Sequence, residues 1–327
     1  MSTYVVALDV GGTSMKGGLV TAEGEILLTD RRPTSRTEGP LRVIEKIRDF
    51  VEDLSAAGKG TTAAVGIVVP GPVAGNTAVY SANIGWKNVP ATDFSPLNVP
   101  VSLGHDVRTA GLAESVLGAA RSQPDFLFLS IGTGIAAALI LQGDPYAGST
   151  GWSGEIGHIP VIPTGERCTC GQIGCLETYA SAASIARRYT EHLTRASSIT
   201  PTPHITAPLT AEDVIARAMR GDPQAALVWD EALEALSLAL ATYTLLMDPS
   251  SIVLGGGLAE AGHPLYSPLA ERLQEKLTWR QAPPLHHAAL GMNAGMLGAA
   301  LLAWQSAGHQ NPGTTWPLDA PTPPPVP

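Results

Sequence analysis

Two spacings of apolar residues alternate along the chain, and together they predict a fold built from strands and helices. Nearly continuous apolar runs predict strands at Tyr4–Val10, Thr62–Pro70 and Ser251–Gly257. Between Pro40 and Ala57 the apolar side chains instead recur every three or four residues, which predicts an amphipathic helix. Further helices are predicted near 178–195, 211–220, 223–248, 264–278 and 293–306.

One pattern, a strand, a turn containing Gly-Thr and a second strand, occurs twice. It opens the chain and returns in the segment DFLFLSIGTGIAAALILQG. The repetition predicts two related α/β lobes, near residues 1–120 and 121–307. Residues 144–178 lack periodicity and read as an irregular insertion in the second lobe. The Pro-rich end, 308–327, is predicted to be disordered.

Composition narrows the class of protein and its partners. A hydrophobic fraction of 44% over 327 residues is typical of a globular chain with room for two domains. A net charge of −9 without Lys/Arg clusters argues against a nucleic-acid partner. No basic segment precedes the first apolar run, and the apolar stretch Ala232–Met247 is too short to span a bilayer. We therefore expect a cytoplasmic protein with no membrane partner.

The first glycine turn, in the segment LDVGGTSMKGG, combines a carboxylate with two glycines. Gly11, Gly12 and Thr13 let backbone N–H groups approach an anion closely. Asp9 is placed to hold a hydrated divalent cation, and Lys16 adds positive charge. The spacing matches neither a Walker A loop nor a dinucleotide motif. A plain hairpin turn is the alternative interpretation.

Two further glycine turns follow apolar strands in the second half of the chain. The second glycine turn consists of Gly132, Thr133 and Gly134, and the third consists of Gly255, Gly256 and Gly257. Three such turns together predict a nucleotide-binding cleft.

Asp106 lies in the segment LGHDVRTAGLAE, between a predicted strand and a predicted helix. A carboxylate at the carboxyl end of a buried strand is placed where open α/β sheets carry out chemistry, so Asp106 is a candidate general base. The alternative is a helix N-cap.

All three cysteines lie in RCTCGQIGC, as Cys168, Cys170 and Cys175. A tetrahedral thiolate site needs a fourth ligand, and His158, ten residues upstream, is the nearest preceding histidine. The odd number of cysteines and the expected compartment argue against a disulfide, and the absence of Cys-x-x-Cys argues against a redox pair. Three ordinary free thiols remain the alternative. A four-ligand site has no open position, so this zinc would be structural.

Glu155 and Glu177 bracket this cluster. Carboxylates on a rigid loop accept hydrogen bonds from polyols, whereas plain surface solvation is the other interpretation.

These motifs together resemble the ROK family (repressors, open reading frames and kinases), over Tyr4 to Trp304. CTCGQIGCLE fits the family pattern C-x-C-G-x-x-G-C-x-E at every fixed position, GEIGH fits E-x-G-H, and DVGGT opens the chain. The resemblance implies a two-lobed actin-like ATPase (ribonuclease H-like) α/β fold. It also implies a zinc-binding insertion in the second lobe, which we call the zinc loop (residues 155–177).

The resemblance also implies roles for individual residues. Asp106 would be the catalytic base that draws the proton from the sugar's 6-hydroxyl as it attacks the γ-phosphate of ATP. The sugar would be held by Gly71, Asn83, His105, Glu155, His158 and Glu177, with the other ring nitrogen of His158 on zinc. The three glycine turns match the phosphate and adenosine elements. His105 departs from the family, which usually has Asn there, so the choice of sugar is open.

The implied activity is ATP-dependent phosphorylation of a hexose, most simply glucose, with Mg²⁺ accompanying ATP and Zn²⁺ structural. An N-acetylhexosamine, either N-acetylglucosamine or N-acetylmannosamine, is the alternative substrate, and polyphosphate is an alternative donor. A transcriptional repressor, the family's other branch, is disfavoured by the acidic chain and by the retained Asp106. A non-catalytic sugar-binding protein is a third possibility. Family members are commonly dimers, so we expect a homodimer or higher homo-oligomer.

Overall fold

The computed structural model describes residues 2–197 and 208–317. The strands in these ranges are β1 (Ser2–Val10), β2 (Ser14–Thr21), β3 (Ile26–Pro33), β4 (Gly60–Val69), β5 (Val73–Ala74), β6 (Thr77–Tyr80), β7 (Lys87–Pro90), β8 (Val101–His105), β9 (Phe126–Ile131), β10 (Ile135–Leu141), β11 (Asp144–Pro145), β12 (Ser251–Gly255) and β13 (Leu285–His287). The α-helices are α1 (Pro40–Ala57), α2 (Asp106–Val116), α3 (Leu176–Ala180), α4 (Ala182–Ser197), α5 (Ala211–Met219), α6 (Pro223–Met247), α7 (His263–Lys276) and α8 (Ala294–Ser306).

Two five-stranded sheets have corresponding strand orders. The first is β3-β2-β1-β4-β8 and the second is β11-β10-β9-β12-β13, while β5, β6 and β7 form a small third sheet. In the first sheet β1 is antiparallel to β2 and parallel to β4, which is parallel to β8. In the second, β10 is antiparallel to β11, and β12 is parallel to both β9 and β13. The correspondence agrees with the pattern that the sequence repeats.

The described backbone separates into two compact units. The first comprises 2–124, 138–153 and 289–317, and the second comprises 125–137, 154–197 and 208–288. These limits differ from the predicted boundaries, 1–120 and 121–307, because α8 packs on β1, β4 and α2 of the first unit. Sequence position alone places α8 with the later lobe, whereas its apolar surface is buried in the earlier one.

Alternation along β1 divides the core of the first unit into two layers. Tyr4, Val6 and Leu8 join the cluster that contains the buried side of α1. Val5 and Ala7 point to the opposite face of the sheet and join the cluster that contains α8. A strand covered on both faces reads as a continuous apolar run, which explains the sequence pattern.

Helix α1 has the predicted bounds, whereas the helix predicted near 178–195 is two helices. The chain is extended at Ser181, and the Oγ atom of Ser181 accepts a hydrogen bond from the N–H of Ser184 at 3.1 Å. Serine thus caps the start of α4 and ends α3. The short strands β5 to β7 and β13 were not predicted, since two to four residues show no periodicity. Among the described residues, no helix is long and apolar enough to cross a membrane.

Residues 308–317, the first part of the segment predicted to be disordered, lie within the described ranges. Trp316 is buried, and its indole N–H donates to the carbonyl oxygen of Ala22 at 2.8 Å. Gly24 makes room for the ring, because a Cβ there would lie 2.5 Å from Cγ of Trp316. Burial of one aromatic ring orders this segment despite its composition. Residues 318–327 lie outside the described ranges.

Candidate functional site

The three cysteines and His158 meet in the second unit. One ligand atom from each residue can be chosen so that all four lie within 4.8 Å of one another. Sγ of Cys170 is 3.7 Å from Sγ of Cys175, and Sγ of Cys168 is 3.8 Å from Nδ1 of His158. Tetrahedral zinc with Zn–S bonds of about 2.3 Å separates its sulfur ligands by roughly 3.8 Å. The donor set and its spacing therefore fit Zn²⁺.

Glycine makes the tight path of the zinc loop possible. Gly174 has φ +76°, and a Cβ on it would lie 1.7 Å from the carbonyl oxygen of Ile162. Gly171 also has positive φ, +97°. Burial, reinforced by the two neighbouring thiols, raises the pKa of Cys175 to about 12. A cation among the sulfurs removes this obstacle to ionisation.

His158 presents its two ring nitrogens to different partners. Nδ1 faces the cysteines, whereas Nε2 lies 4.0 Å from Oε2 of Glu155. The segment between these residues lies against the start of β10, where a Cβ on Gly157 would be 2.2 Å from the carbonyl oxygen of Ile135. The glycine in E-x-G-H is therefore needed for close backbone packing.

Glu177 connects the zinc loop to the second glycine turn. Oε2 of Glu177 accepts a hydrogen bond from the N–H of Ile135 at 2.8 Å. A Cβ on Gly134 would lie 2.6 Å from the same oxygen atom. On the other side of the turn, the carbonyl oxygen of Gly132 accepts from the N–H of Ala182 at 2.8 Å. This turn is thus held from α3 and from α4, while Thr133 at its tip is exposed.

The second and third glycine turns share one edge of the second sheet. They follow β9 and β12, which are parallel and pair Ser130 with Gly255. Gly256 has φ +79°, and a Cβ on it would lie 2.5 Å from the carbonyl oxygen of Ile131. Gly257 instead has no heavy atom within 4 Å of the Cβ position. The first two glycines are required by packing, and the third leaves open space.

Gly257 borders a cavity of about 490 Å³. Its wall combines the segment after β12, the first residue of α4, and α5 with its N-cap: Gly257, Leu258, Glu260, Ala261, Pro264, Ala182, Thr210, Ala211, Glu212, Ile215, Ala216 and Met219. The wall formed by α5 was not predicted, because an ordinary amphipathic helix carries no motif that marks a ligand site.

In the first unit, the carboxyl ends of three adjacent parallel strands carry predicted residues. β1 ends just after Asp9, β4 leads into the loop of Gly71, and β8 ends at His105, directly before Asp106. Gly71 has φ +96°, and a Cβ on it would lie 2.1 Å from the carbonyl oxygen of Tyr80. Asn83 is exposed in the turn between β6 and β7.

His105 is the N-cap of α2, and Asp106 is the first residue of the helix. Nδ1 of His105 accepts from the N–H of Arg108 at 3.3 Å, and it lies 3.2 Å from Oδ1 of Asp106. Burial lowers the pKa of His105, only partly opposed by the charge of Asp106. An accepting Nδ1 places the proton of neutral His105 on Nε2. The N-cap predicted as the alternative role of Asp106 belongs to His105, and Oδ1 of Asp106 accepts from the N–H of Val107 at 2.7 Å.

Asp9 is a partly buried carboxylate with a negative and a positive side chain close enough to affect its pKa. Burial, followed by the negative charge of Asp106, raises the pKa of Asp9 to about 6, while Lys16, its cross-strand partner, opposes the rise. The ammonium group of Lys16 donates to the side chain of Asn293. Asp9 lies against the start of α8, where a Cβ on Gly295 would be 2.3 Å from its Oδ2. The contributions of Asn293 and Gly295 were missed, since nothing in the sequence relates them to residue 9.

The first glycine turn is geometrically a hairpin between β1 and β2. The N–H of Gly11 donates to the carbonyl oxygen of Ser14 at 3.0 Å, and the carbonyl oxygen of Thr13 accepts from Thr34 at 3.0 Å. Gly12 has no heavy atom within 4 Å of its Cβ position. The first glycine turn can therefore be a hairpin and still leave open space at Gly12 for an anion.

Comparison with known proteins agrees with this architecture. The sequence profile of the ROK family matches residues 5–306. A glucokinase from Halalkalibacterium halodurans is 33% identical over 322 residues, which cover 95% of this chain and 98% of that protein. The ROK hexokinase from Thermus thermophilus is 32% identical, with a TM-score of 0.79 and coverage of 93% of this chain and 99% of that one. A ROK glucokinase from Streptomyces griseus, solved with glucose and AMPPNP, is 28% identical, with a TM-score of 0.77 and coverage of 92% and 99%.

These matches confirm the predicted family resemblance and the actin-like α/β fold, and the His158–cysteine cluster is consistent with the predicted zinc insertion. The chain belongs to the ROK family.

Proposed function

We propose that this protein is an ATP-dependent kinase that phosphorylates the 6-hydroxyl of a hexose, with glucose as the substrate. The observation that carries the proposal is the position of Asp106, the first residue of α2, at the carboxyl end of β8, near enough to Asp9 for its charge to raise the pKa of that carboxyl group. Phosphoryl transfer needs a proton acceptor, a divalent cation and donors around the phosphates, with little other chemistry. The similarity to glucokinases over nearly the whole chain supports the choice of glucose.

Asp106 is proposed as the general base. Its Oδ1 accepts a hydrogen bond from the N–H of Val107 at 2.7 Å, which holds the carboxylate at the start of α2. The sugar's 6-hydroxyl gives its proton to Asp106, the hydroxyl oxygen bonds to the γ-phosphorus, and ADP leaves with the electrons of the broken P–O bond.

Asp9 is proposed as the residue that holds Mg²⁺ with ATP. A carboxylate oxygen is a ligand that Mg²⁺ prefers, and a cation would relieve the burial and repulsion that raise the pKa of Asp9. When bound, Mg²⁺ neutralises charge on the phosphates. In the first unit, backbone N–H groups of the first glycine turn are proposed to bind phosphate oxygens, with Lys16 adding positive charge. In the second unit, backbone N–H groups of the second glycine turn are proposed as phosphate ligands as well.

The cavity beside Gly257 is proposed to take the adenosine of ATP. Its volume of about 490 Å³ and its largely apolar wall suit a flat base, and the open backbone at Gly257 admits close approach.

The zinc loop is proposed to bind sugar hydroxyls. Glu155 and Glu177 would accept hydrogen bonds from them, and Nε2 of His158, on the side away from the cysteines, is free of the predicted zinc bond. The loop's Zn²⁺ would have four protein ligands and therefore no catalytic coordination position. In the first unit, Asn83, His105 and the Gly71 loop are proposed to contact the sugar. Thiolate ligands must stay reduced, which suits the cytoplasm.

A homodimer or higher homo-oligomer is proposed as the assembly. Helix α6 exposes Leu227, Leu238, Leu245 and Leu246, although most of its other apolar residues are buried. Light scattering coupled to size exclusion measures the mass directly, and a 34-kDa species at all concentrations would contradict this assembly.

A coupled ADP-release assay tests the activity. Glucose, mannose, N-acetylglucosamine and N-acetylmannosamine are offered with ATP and Mg²⁺, and we expect the highest kcat/KM with glucose. A higher value with an N-acetylhexosamine would change the substrate but keep the kinase. No release with any sugar would contradict an ATP-dependent kinase. A parallel arm with polyphosphate measures glucose 6-phosphate, and its formation there would change the donor but keep the sugar kinase.

A further inference from the structure

Arg188 of α4 is a buried cation outside the proposed active-site residues. Its side chain is only 8% exposed. Nε lies 2.8 Å from Oε1 of Glu166, and Nη2 lies 2.7 Å from Oε2 of Glu231 on α6. The guanidinium also lies 4.7 Å from the ring centroid of Tyr179. Two carboxylates and an aromatic face hold this cation in one position, since a buried charge requires such partners.

Glu166 brings this network to the zinc loop, because it lies two residues before Cys168. Its N–H donates to the hydroxyl oxygen of Tyr179 at 2.6 Å, and its carbonyl oxygen accepts from the N–H of Gly174 at 2.8 Å. Gly174 directly precedes Cys175. The backbone that precedes Cys168 and the backbone that precedes Cys175 are thus joined at Glu166, whose side chain is paired with Arg188.

We propose that Arg188 is a positioning residue that anchors the zinc loop through Glu166 and so slows the loss of zinc. The same anchor keeps Glu177 oriented for the sugar, and this second part of the inference rests on the proposed sugar kinase activity. Arg188 acts on the zinc site indirectly, because none of its contacts with residues that the structure describes involves the side chain of a zinc ligand. Outer partners that orient metal ligands typically change affinity for the metal 10–100-fold when removed.

The charges in this network favour a local effect over general unfolding. The side chain of Glu166 is 37% exposed, so its carboxylate reaches water when Arg188 is replaced. Oε2 of Glu231 is buried against Arg188, so E166A, which leaves that pair in place, isolates the local effect. Arg187 also contacts Glu166, at 2.7 Å, but its side chain is 40% exposed and pairs with Glu191 as well. An exposed pair of this kind holds a loop weakly. Arg188 is therefore the dominant anchor.

The test measures zinc release from the full-length, zinc-loaded protein into an excess of a chromophoric chelator, without sugar or ATP. The variants are R188Q, E166A and R188K, and the control is R272Q. Arg272 likewise joins two carboxylates, Asp230 and Glu234, but it links α7 to α6 away from the zinc loop. We expect release about 10-fold faster for R188Q and E166A, an intermediate rate for R188K, and the wild-type rate for R272Q.

A second measurement separates positioning from general damage. The KM for the sugar should rise in R188Q and E166A, while kcat stays within about twofold of the wild type. If R188Q fails to fold, E166A decides, because Glu166 has a third of its side chain in water. If R188Q and E166A release zinc at rates within twofold of the wild type and of R272Q, the inference is overturned. It is also overturned if the wild-type protein binds no zinc. Faster release in a protein that phosphorylates no sugar would leave the anchor standing and overturn the kinase proposal alone.

Discussion

The carboxylate of Glu177 accepts a hydrogen bond from the backbone N–H of Ile135 at 2.8 Å, and this contact joins the zinc loop to the second glycine turn. Glu177 follows Cys175 by two residues, and Ile135 directly follows Gly134. Gly134 has no room for a side chain beside this carboxylate. A residue predicted to bind only sugar therefore also supports the turn proposed to bind phosphate.

Two substitutions at Glu177 separate these roles. E177Q keeps an oxygen that can accept from Ile135 but removes the charge, so the KM for the sugar should rise and the KM for ATP should stay close to wild type. E177A also leaves the N–H of the buried Ile135 without its acceptor, which costs about 1–3 kcal/mol. Steady-state kinetics should show both KM values raised. Equal ATP KM values for E177A and the wild type would contradict a supporting role for this contact.

Sequence alone predicted the residues near this contact but not the contact itself. The strands β1, β4 and β12, the helix α1 and the metal ligands follow from local periodicity and spacing, which are readable in a short window. The bond between Glu177 and Ile135 joins positions 42 residues apart. Likewise α8 packs on β1, far away in sequence, and the wall of the cavity by α5 has no local signature. Such pairings depend on tertiary packing rather than on any pattern.

Asp9 is expected to reduce the stability of the metal-free protein at neutral pH. Its pKa is raised to about 6, mainly by burial, so the folded state holds this proton more tightly than the unfolded state does. The stability that this proton contributes is present below the ordinary Asp pKa and is lost as the pH rises through about 6. D9N removes the buried charge and should increase the free energy of unfolding at pH 7 by about 1–3 kcal/mol, while abolishing turnover.

Denaturant unfolding at several pH values tests this expectation. The difference between D9N and the wild type should shrink as the pH falls from 7 to 4. Mg²⁺ with ATP should stabilise the wild type and not D9N. If D9N is less stable than the wild type at pH 7, the ionised carboxylate of Asp9 does not destabilise the folded protein, and the expectation is wrong.

His105 has a helix-capping role that can be separated from its proposed contact with sugar. Asn is among the strongest N-cap residues, so H105N should keep the stability of α2, whereas H105A should lose about 1 kcal/mol. We expect H105N to change the ratio of kcat/KM between glucose and N-acetylglucosamine, or to move the acidic limb of the pH–rate profile. If neither quantity moves, His105 serves only the helix.

The same residue predicts a pH dependence with the opposite sign to that of Asp9. Burial lowers the pKa of His105, so the folded state binds this proton less readily than the unfolded state does. Stability is therefore lost as the pH falls below about 6.5, the ordinary value for histidine. H105N should lose less stability than the wild type between pH 7 and pH 5. Asp9 has the opposite pH dependence, so the comparison is made between D9N and the double variant D9N/H105N, in which Asp9 no longer contributes. Equal losses of stability in these two proteins between pH 7 and pH 5 would contradict the expectation.

Asp106 should be essential for turnover and dispensable for sugar binding. D106N keeps an oxygen for the N–H of Val107 but cannot accept the proton of the 6-hydroxyl, so kcat should fall by about 10²–10⁴-fold. Calorimetric titration should give a Kd for glucose within a few-fold of the wild type. Substantial kcat in D106N would move the role of general base to another residue.

Removal of zinc should affect sugar and ATP together rather than sugar alone. We expect about one zinc per chain by elemental analysis, since one four-ligand cluster is formed by His158, Cys168, Cys170 and Cys175. Chelation frees the loop that carries Glu155 and Glu177, so the Kd for glucose should rise first. The contact from Glu177 to Ile135 then transmits the loss to the second glycine turn, and the Kd for ATP should rise as well.

Calorimetry on chelated and zinc-restored protein measures both constants, with C170S as a matched variant that removes one exposed ligand. An unchanged Kd for glucose after chelation would show that the loop keeps its shape without the metal, and an unchanged Kd for ATP alone would show that the turn is supported chiefly through Ala182.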